Sequence, residues 1–442
     1  MASFSLQLLT SFLALSLGAA VPVDHMLETR DFTAEAGLTV TDNYNTLFRI
    51  QRQSGLSQAL DARRRIRRNK VVLNELAEDP DDSEDANIFA NGFRQNEYIV
   101  KVKIGGDEFS LVPDTGSSDT WVVADGFKCL APFSGLEIPQ EDCGLGTPFK
   151  GDFPNGKIDN INLNISYESG EYINGPMGFA NITVANVTVP KQQFALVNVA
   201  AFQGDEVSSG ILGLGLRGLT EAFKGNDPTK DTIADLVNYS PFVESMGTSK
   251  VADSILGFAL SRDDKRSYIS FGGVPPVKTG EYVTVPIQKG NFNEKTDYFF
   301  YEVAVDSISW NSSTISQEAT NLPHMIVDSA TTINLFPLNV ATAINNAFTP
   351  AAKQQEGGLV WNVACDAVPP TLNIVIGGKT IRTSPGSMTI NETASDGSVQ
   401  CVSGIGAGQP NSYILGDTFM EEIIAVFDAS HKKQMKFAQR LD

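Results

Sequence analysis

Two short motifs place an acidic residue beside small and hydroxyl-bearing residues. The first reads Asp114-Thr-Gly-Ser-Ser118 and the second Asp328-Ser-Ala-Thr-Thr332. Each follows a short apolar run. Each also precedes an Ile-Leu-Gly tripeptide, which begins 97 residues after Asp114 and 86 residues after Asp328. This repetition indicates an internal duplication that supplies one carboxylate from each half of the chain.

Two carboxylates brought together by such a duplication can activate water without a cofactor or a metal. Like charges at short range cannot easily both ionise, so the pair shares one proton. The ionised member can take a proton from water as general base, while the protonated member hydrogen-bonds a substrate carbonyl as general acid. The neighbouring hydroxyls would hold the carboxylates in place, and Gly116 would let the two loops approach closely.

Rival catalytic machinery is mostly missing from the sequence. It has three histidines, His25, His324 and His431, and we interpret His324, which precedes an apolar run, as structural. The sequence has no Gly-x-Ser-x-Gly elbow, His-Glu-x-x-His helix, Cys-x-x-Cys pair or phosphate-binding glycine loop. This leaves the carboxylates as the candidate catalytic groups.

The length and composition indicate a globular protein of two lobes. The chain has 442 residues, of which 42% are hydrophobic and 19% are charged. Its 52 acidic residues outnumber its 33 basic residues, which disfavours nucleic acid as a partner. No apolar run is long enough to span a bilayer, so we expect no membrane partner. We also expect the protein to be a monomer.

Elements that would position the two acids are mainly β-strands. The runs 98–104, 182–189 and 301–308 alternate apolar and polar residues, and 38 Gly and 21 Pro punctuate the chain. Helical candidates are few and short, at residues 231–246, 338–348 and 417–424. We therefore predict an all-β protein, although strand patterns alone fit an ordinary β-sandwich equally well.

Several features predict passage through the secretory route. Residues 1–20 resemble a signal peptide with an apolar run from Leu8 to Leu17, although it has no Lys or Arg. Potential glycosylation sites follow the Asn-x-Ser/Thr pattern at Asn164, Asn181, Asn186, Asn311 and Asn391, with a poorer one at Asn238. We expect a secreted protein, with delivery to a vacuole as the alternative.

Four cysteines are consistent with export. Cys129 and Cys143 lie in the first half, and Cys365 and Cys401 in the second. Three pairings are possible, and free buried thiols are the alternative. The duplication favours one bridge within each half, Cys129–Cys143 and Cys365–Cys401.

A basic segment precedes an acidic body. Residues 21–70 carry nine basic and six acidic residues and end in the run 63–68, Arg-Arg-Arg-Ile-Arg-Arg, whereas the rest of the chain carries 24 basic and 46 acidic residues. We predict a prosegment at 21–70, ending by about residue 90, that is held electrostatically and loosens in acid. Turn residues at 272–276 predict the lobe boundary, with lobes at 91–275 and 276–442.

The sequence resembles the pepsin-like aspartic peptidases, especially the fungal secreted ones, from about Asn96 onward. The resemblance rests on residues 109–122 around the first motif and 326–332 around the second. It is supported by residues 270–273 (Ser-Phe-Gly-Gly), 413–420, 426–428 and 436–438. It implies two barrel-like β lobes related by pseudo-twofold symmetry, with a peptide-binding cleft between them. The implied activity is hydrolysis of peptide bonds in acid, between bulky apolar residues of protein or peptide substrates.

The resemblance also implies residue roles. Asp114 and Asp328 match the catalytic pair, and the hydroxyls of Thr115 and Ser329 match those that brace the two loops. Second-layer hydroxyls are expected from Ser117 and Thr331. A flap that closes over the cleft is expected around Tyr167 and Gly170, with the tyrosine bonded to Trp121. The alternative is that Tyr167 is an ordinary aromatic residue of a surface strand.

Two departures from the family pattern affect these expectations. Glu168 replaces a small residue at the expected flap, and Ala330 replaces the usual glycine of the second motif. The added methyl could cost roughly 1–3 kcal/mol in a crowded or left-handed position. The main hypothesis is therefore an active secreted endopeptidase made as a zymogen. The alternative is a catalytically silent protein that binds peptide or polymer in its cleft.

Overall fold

A computed structural model describes residues 31–51 and 96–441, except 133, 168–169, 263–265, 293–294, 317–321, 356–357, 394–397 and 411. The predicted signal peptide, the basic run at 63–68 and Glu168 lie outside the described residues. Among the described residues, no helix is both long and apolar enough to cross a bilayer.

Most described secondary structure is β. The described α-helices are short: α1 (Phe32–Glu35), α2 (Phe242–Thr248), α3 (Leu338–Asn345) and α4 (Asp417–Met420). The strands before residue 276 are β1 (Tyr44–Thr46), β2 (Phe48–Gln51), β3 (Asn96–Ile104), β4 (Asp107–Asp114), β5 (Trp121–Leu130), β6 (Glu137–Ile138), β7 (Lys157–Ser166), β8 (Tyr172–Val184), β9 (Val187–Ala201), β10 (Gly210–Gly213), β11 (Ala222–Lys224), β12 (Ile255–Ala259) and β13 (Tyr268–Phe271). The later strands are β14 (Val283–Pro286), β15 (Gly290–Phe292), β16 (Lys295–Asp297), β17 (Glu302–Val303), β18 (Ser307–Trp310), β19 (Ser313–Ser316), β20 (Met325–Val327), β21 (Asn334–Phe336), β22 (Lys353–Gln354), β23 (Trp361–Val363), β24 (Leu372–Ile376), β25 (Lys379–Arg382), β26 (Thr389–Thr393), β27 (Val399–Ser403), β28 (Ile405–Ala407), β29 (Ile414–Leu415), β30 (Ile423–Asp428) and β31 (Gln434–Gln439).

Each acid motif ends a strand that pairs in parallel with an Ile-Leu-Gly strand. In a ten-stranded sheet, β4 pairs with β10, and Asp114 lies opposite Gly213. In a five-stranded sheet, β20 pairs with β29, and the Asp328 N–H donates to the Leu415 carbonyl. The duplication inferred from the sequence is therefore also present in the strand pairing.

The same correspondence extends to the strand that follows each motif. β5 begins at Trp121, which lies opposite Ile211 of β10 in antiparallel pairing. In the second half, β21 pairs antiparallel with β29, and Leu335 lies opposite Ile414. The motif loops thus occupy equivalent places in two β-rich lobes, as the predicted fold class requires.

A six-stranded sheet draws its strands from both halves of the chain. Its order is β1-β13-β12-β30-β31-β14, so β12 and β13 come from before residue 276 and the last three strands from after it. The central strand β30 is mainly apolar: all six of its residues are buried, and Asp428 is the one polar residue among them. A shared sheet of this kind fixes the two motif-bearing sheets within one framework.

Residues 31–51, which we call the N-terminal segment, belong to the predicted prosegment. β1 pairs with β13 and β2 with β3, and Leu38 and Leu47 are buried. The segment carries three acidic residues and one basic residue, Arg49, whose Nη2 lies 3.7 Å from Glu421 Oε1. Strand pairing and apolar burial therefore hold this part of the chain. The basic run at 63–68, on which the prediction of electrostatic binding depends, lies outside the described residues.

Three of the predicted elements are interrupted in the structure. The alternating run 182–189 contains a hairpin turn at Ala185 and Asn186, both with positive φ. Because the turn has two residues, apolar and polar residues continue to alternate from one strand into the next. The run 301–308 divides between β17 and β18, which belong to different sheets. The helix predicted at 231–246 begins only after Pro241, its N-cap residue, because proline disfavours helix in the residue before it. The other two helices begin where predicted and end three and four residues early.

Each half of the chain contains one disulfide. Cys129 is bonded to Cys143 and Cys365 to Cys401, so the described residues include no free cysteine. This is the pairing that the duplication favours.

Candidate active site

The two acids lie at facing loops. Asp114 is the last residue of β4, and Asp328 directly follows β20; both side chains are buried. A Cβ added to Gly116 would lie 2.8 Å from Cγ and from both carboxylate oxygens of Asp328. The first loop therefore reaches the second acid with no room for a side chain at Gly116. We call Asp114 and Asp328 the acid pair.

Thr115 and Ser329 brace the two loops reciprocally. The Thr115 N–H donates to Ser329 Oγ at 3.1 Å, and the Ser329 N–H donates to Thr115 Oγ1 at 3.0 Å. Each hydroxyl also donates across to the other strand, Thr115 Oγ1 to the Val327 carbonyl and Ser329 Oγ to the Pro113 carbonyl. Four buried hydrogen bonds therefore fix the relative position of the loops, as the resemblance implies.

Each acid has the same two donors from its own loop. Ser117 Oγ donates to Asp114 Oδ2 at 2.5 Å, and Thr331 Oγ1 donates to Asp328 Oδ2 at 2.6 Å. The backbone N–H of residue 116 donates to Asp114 Oδ1 at 2.7 Å, and that of residue 330 donates to Asp328 Oδ1 at 3.0 Å. These donors fix the orientation of both carboxylates without using a metal or another charged side chain.

Ala330 fits its position without backbone strain. It is not among the residues with positive φ, so the left-handed conformation that would have made alanine costly does not occur. Its side chain is 8% exposed and belongs to an apolar cluster whose other buried members, such as Trp121 and Ile99, come from the first half of the chain. The extra methyl therefore packs across the junction between the halves.

A hairpin formed by β7 and β8 carries Tyr167 and Gly170 in its connection. The Trp121 indole N–H donates to Tyr167 Oη at 2.9 Å, and both rings make edge-to-face contacts with Phe202. Gly170 has a φ of +80°, a conformation that favours glycine, and its N–H donates to the Tyr167 carbonyl. Tyr167 thus lies at the start of a turn whose position is fixed by the strand after the first motif.

The sequence did not reveal a buried acid beside the first motif. Asp119 accepts hydrogen bonds from the Tyr239 hydroxyl at 2.7 Å and from the Glu221 N–H at 3.0 Å. Burial raises the pKa of Asp119 to about 7, and burial with the nearby Asp119 charge raises the pKa of Glu221 to about 8. The only available signal was an acid two residues before Trp121 in a run otherwise rich in hydroxyls.

A second group of buried acids lies near the second motif. Burial, with Glu421 and then Asp328 as neighbouring acids, raises the pKa of Asp417 well above its usual value. Glu421 accepts from the Tyr98 hydroxyl at 3.0 Å and faces Arg49 of the N-terminal segment. Burial also raises the pKa of Glu392 to about 7.

The remaining predicted residues lie away from the acid pair. His324 Nδ1 lies 3.6 Å from Glu302 Oε1, and the histidine side chain is 41% exposed. Two candidate glycosylation sites have side-chain amides that donate hydrogen bonds: Asn164 to Asp231 and the Pro228 carbonyl, and Asn238 to Thr220 and the Arg217 carbonyl. The other four candidates are exposed: Asn181, Asn186, Asn311 and Asn391. In the described part of the chain, no group of three or more acidic, histidine or cysteine side chains could hold a metal ion.

Comparisons with known proteins identify the family. The family model for eukaryotic aspartyl proteases matches residues 97–440. A protein named as a probable aspartic-type endopeptidase from Aspergillus fumigatus is 32% identical over 351 residues, which cover 77% of this chain and 78% of that protein. Rhizopuspepsin from Rhizopus chinensis is 26% identical over 337 residues, covering 75% of this chain and 76% of that protein.

A solved structure has the same fold. The crystal structure of an aspartic proteinase from Irpex lacteus superposes with a TM-score of 0.58 at 19% identity, covering 78% of this chain and 94% of that one. The bilobal pepsin-like fold therefore agrees with the family match and with the paired acid loops. The chain belongs to the eukaryotic aspartyl protease family and is an aspartic endopeptidase.

Proposed function

We propose that this protein is a secreted endopeptidase, made as a zymogen, in which Asp114 and Asp328 activate water in acid. The observation that carries the proposal is the reciprocal bracing of two buried acid loops by Thr115 and Ser329. In the proposed mechanism, this bracing keeps the carboxylates close enough for one water molecule to contact both. The same geometry needs neither a metal nor an organic cofactor.

The proposed reaction is addition of water to a peptide carbonyl. The ionised acid accepts a proton from water while the oxygen adds to the carbonyl carbon, and the protonated acid gives its proton to the carbonyl oxygen. The carbon–nitrogen bond of the resulting tetrahedral intermediate then breaks. The leaving nitrogen takes the proton that the first acid accepted from water, while the second acid takes back a proton from a hydroxyl of the intermediate. A carboxyl group and an amine are released, and the acid pair returns to its starting state. Ser117 and Thr331 keep the outer oxygen of each carboxylate in place during these steps.

The β7–β8 hairpin is proposed to act as the flap. Tyr167 is held by Trp121, which itself begins the strand after the first motif. A hairpin closed over bound peptide would exclude water and supply backbone donors to the substrate. Glu168, which follows Tyr167 in the sequence, would then contribute to the choice of peptide substrate.

Work at acidic pH is supported by buried carboxyl groups outside the acid pair. Asp119, Glu221 and Glu392 have pKa values raised to about 7, 8 and 7. Such groups enter the folded interior as neutral acids at low pH, so acid favours the folded protein.

Secretion and zymogen processing are supported mainly by the sequence. The apolar residues 8–17, the two disulfides and the four exposed glycosylation candidates are all typical of the secretory route. We propose that residues 21–70 form the prosegment and that the lobes comprise 91–275 and 276–442. The N-terminal segment would then be the part of the prosegment that adds strands to two sheets of the body.

One assay tests the catalytic proposal. Purified protein is acidified, freed of its prosegment and given a protein substrate, and the products are identified by mass spectrometry. We expect peptide cleavage that falls about a thousandfold or more in Asp114→Asn and in Asp328→Asn. Unchanged cleavage in both variants would overturn the proposal. A preparation that binds a transition-state-mimicking peptide inhibitor but cleaves nothing would instead support the silent peptide-binding alternative.

A further inference from the structure

Asp119 connects two parts of the first lobe that are far apart in sequence. Its side chain is 1% exposed, and each of its carboxylate oxygens accepts one hydrogen bond. Oδ1 accepts from the Tyr239 hydroxyl, and Oδ2 accepts from the Glu221 N–H. Tyr239 is itself buried, and its N–H and the Asn238 side chain both donate to Thr220, the residue before Glu221. Asp119 therefore fixes the position of the chain at Glu221.

Glu221 in turn supports the outer strand of the hairpin. Its carbonyl accepts from the Asn164 N–H at 3.3 Å, three residues before Tyr167. The next three residues form β11, which pairs antiparallel with β7 from Leu163 back to Ile161. Displacement of Glu221 would therefore move the edge of the sheet on which the hairpin rests.

These contacts close into a ring. From Asp119 the chain continues through Thr120 to Trp121, whose indole N–H donates to Tyr167 Oη at 2.9 Å. From Tyr167 the path returns along β7 to Asn164 and across to Glu221 and Asp119. The ring includes the strand after the Asp114 loop. It also includes the two contacts that support the hairpin, the Trp121–Tyr167 side-chain bond and the Asn164–Glu221 backbone bond.

The duplication shows that the loop itself does not require an acid at this position. Asp119 is the sixth residue of the first motif counted from Asp114, and the sixth residue of the second motif is Ile333, which is buried and apolar. A buried carboxyl group is unfavourable unless its oxygens have hydrogen-bond partners. Asp119 is therefore explained by the Glu221 and Tyr239 contacts, which occur on the hairpin side of the first lobe.

We propose that Asp119 is a positioning residue that couples the Asp114 loop to the β7–β8 hairpin through Glu221 and Tyr239. The inference rests on the proposed role of the hairpin as a flap. It predicts that Asp119 acts on how substrate is held while leaving the acid pair itself in place. The acid pair is braced by Thr115 and Ser329, and neither residue contacts the ring through its side chain.

Tyr239→Phe is the main test, because it removes one hydroxyl and keeps the ring. Its matched control is Tyr98→Phe, which also removes a buried hydroxyl bonded to a carboxylate, that of Glu421. We expect Tyr239→Phe to raise KM about fivefold with kcat changed less than twofold, and Tyr98→Phe to leave both unchanged. Asp119→Asn can still accept from the Glu221 N–H, so its KM should be close to that of the wild type. Asp119→Ala should raise KM more than Tyr239→Phe does.

Hydrogen exchange of the hairpin gives a readout that does not depend on catalysis. We expect faster exchange at residues 161–167 in Tyr239→Phe and Asp119→Ala, with unchanged exchange at the end of β4 that carries Asp114. Equal effects of Tyr239→Phe and Tyr98→Phe on KM and on this exchange would overturn the coupling. Faster hairpin exchange in a protein that cleaves nothing would retain the coupling and reject only the proposed function.

Discussion

The two halves of the acid site have identical bracing but differ at the third and sixth positions of the motif. Thr115 and Ser329 exchange the same hydrogen bonds, and Ser117 and Thr331 donate to equivalent carboxylate oxygens. The acids and hydroxyls thus retain the duplicated pattern. Positions that face surroundings specific to one half have diverged.

At the third position, Gly116 faces Asp328, whereas Ala330 packs in an apolar cluster of the first half. The approach of the loops is therefore not fully symmetric, and a methyl is tolerated on one side only. At the sixth position, Asp119 binds the support of the hairpin, while Ile333 lies in an apolar cluster of the second half. The candidate flap belongs to the first half, and the sixth motif residue is polar in that half and apolar in the other.

The largest effect is expected from making the third positions alike with alanine. In Gly116→Ala the new Cβ would lie 2.8 Å from the Asp328 carboxylate, a distance that requires the loops to separate. A displacement near 1 Å at reacting groups costs about a hundredfold in rate. We expect kcat/KM on a peptide substrate to fall by at least that factor, with the fold intact by circular dichroism. Activity within threefold of wild type would contradict the asymmetry.

The sixth positions should differ in their contribution to pH-dependent stability. The folded pKa values of Asp119 and Glu221, about 7 and 8, exceed the usual 3.8 and 4.5. The folded protein therefore binds more protons than the unfolded chain, and their stabilisation, complete below about pH 4, is lost as pH rises through 7 to 8. Because one pKa unit corresponds to about 1.4 kcal/mol, we expect the free energy of unfolding to fall by several kcal/mol from these two groups.

Urea denaturation between pH 4 and pH 8 measures this loss. In Asp119→Asn the free energy of unfolding should depend less on pH, because the variant has no proton to lose at that position. Glu392→Gln, in the second half, serves as the comparison because its pKa is raised to about 7 without an acidic neighbour among the causes. If the free energy of unfolding changed with pH equally in Asp119→Asn and in the wild type, Asp119 would not titrate in this range.

The bracing hydroxyls should have similar effects in the two halves. Thr115→Val and Ser329→Ala each leave buried backbone groups without a partner, which costs about 1–3 kcal/mol in the free energy of unfolding. Because the two residues exchange hydrogen bonds, the double variant should cost less than the sum of the single variants. Thr248→Val, at an exposed helix end, should change stability by less than about 0.5 kcal/mol. Additive losses from the two braces would indicate that they act independently.

The smallest effect is expected from restoring glycine to the second motif. Ala330→Gly removes one buried methyl, which costs about 1 kcal/mol in stability. Since Ala330 has no positive φ, glycine relieves no backbone strain. We expect kcat/KM to stay within about threefold of wild type. A strong rise in activity would show that the methyl separates the acid pair.

Much of the site could be predicted because its chemistry is local and repeated. The acids, hydroxyls and Ile-Leu-Gly tripeptides recur in order, so the sequence alone indicated their pairing. Helix 231–246 and the strand 301–308 were predicted less well. Pro241 delays the start of the helix to Phe242, and the chain between β17 and β18 passes from one sheet to another without breaking the alternation.

The sequence by itself determined the acid pair, the mostly β composition and the disulfide pairing favoured by the duplication. Each of these depends on residue type and on spacing along the chain. Only the tertiary structure decided that Ala330 is unstrained, that the N-terminal segment pairs within two sheets, and that Asp119 meets Glu221 and Tyr239. These facts depend on contacts between residues 45 or more positions apart, or on the sign of one backbone angle, and composition and periodicity encode neither.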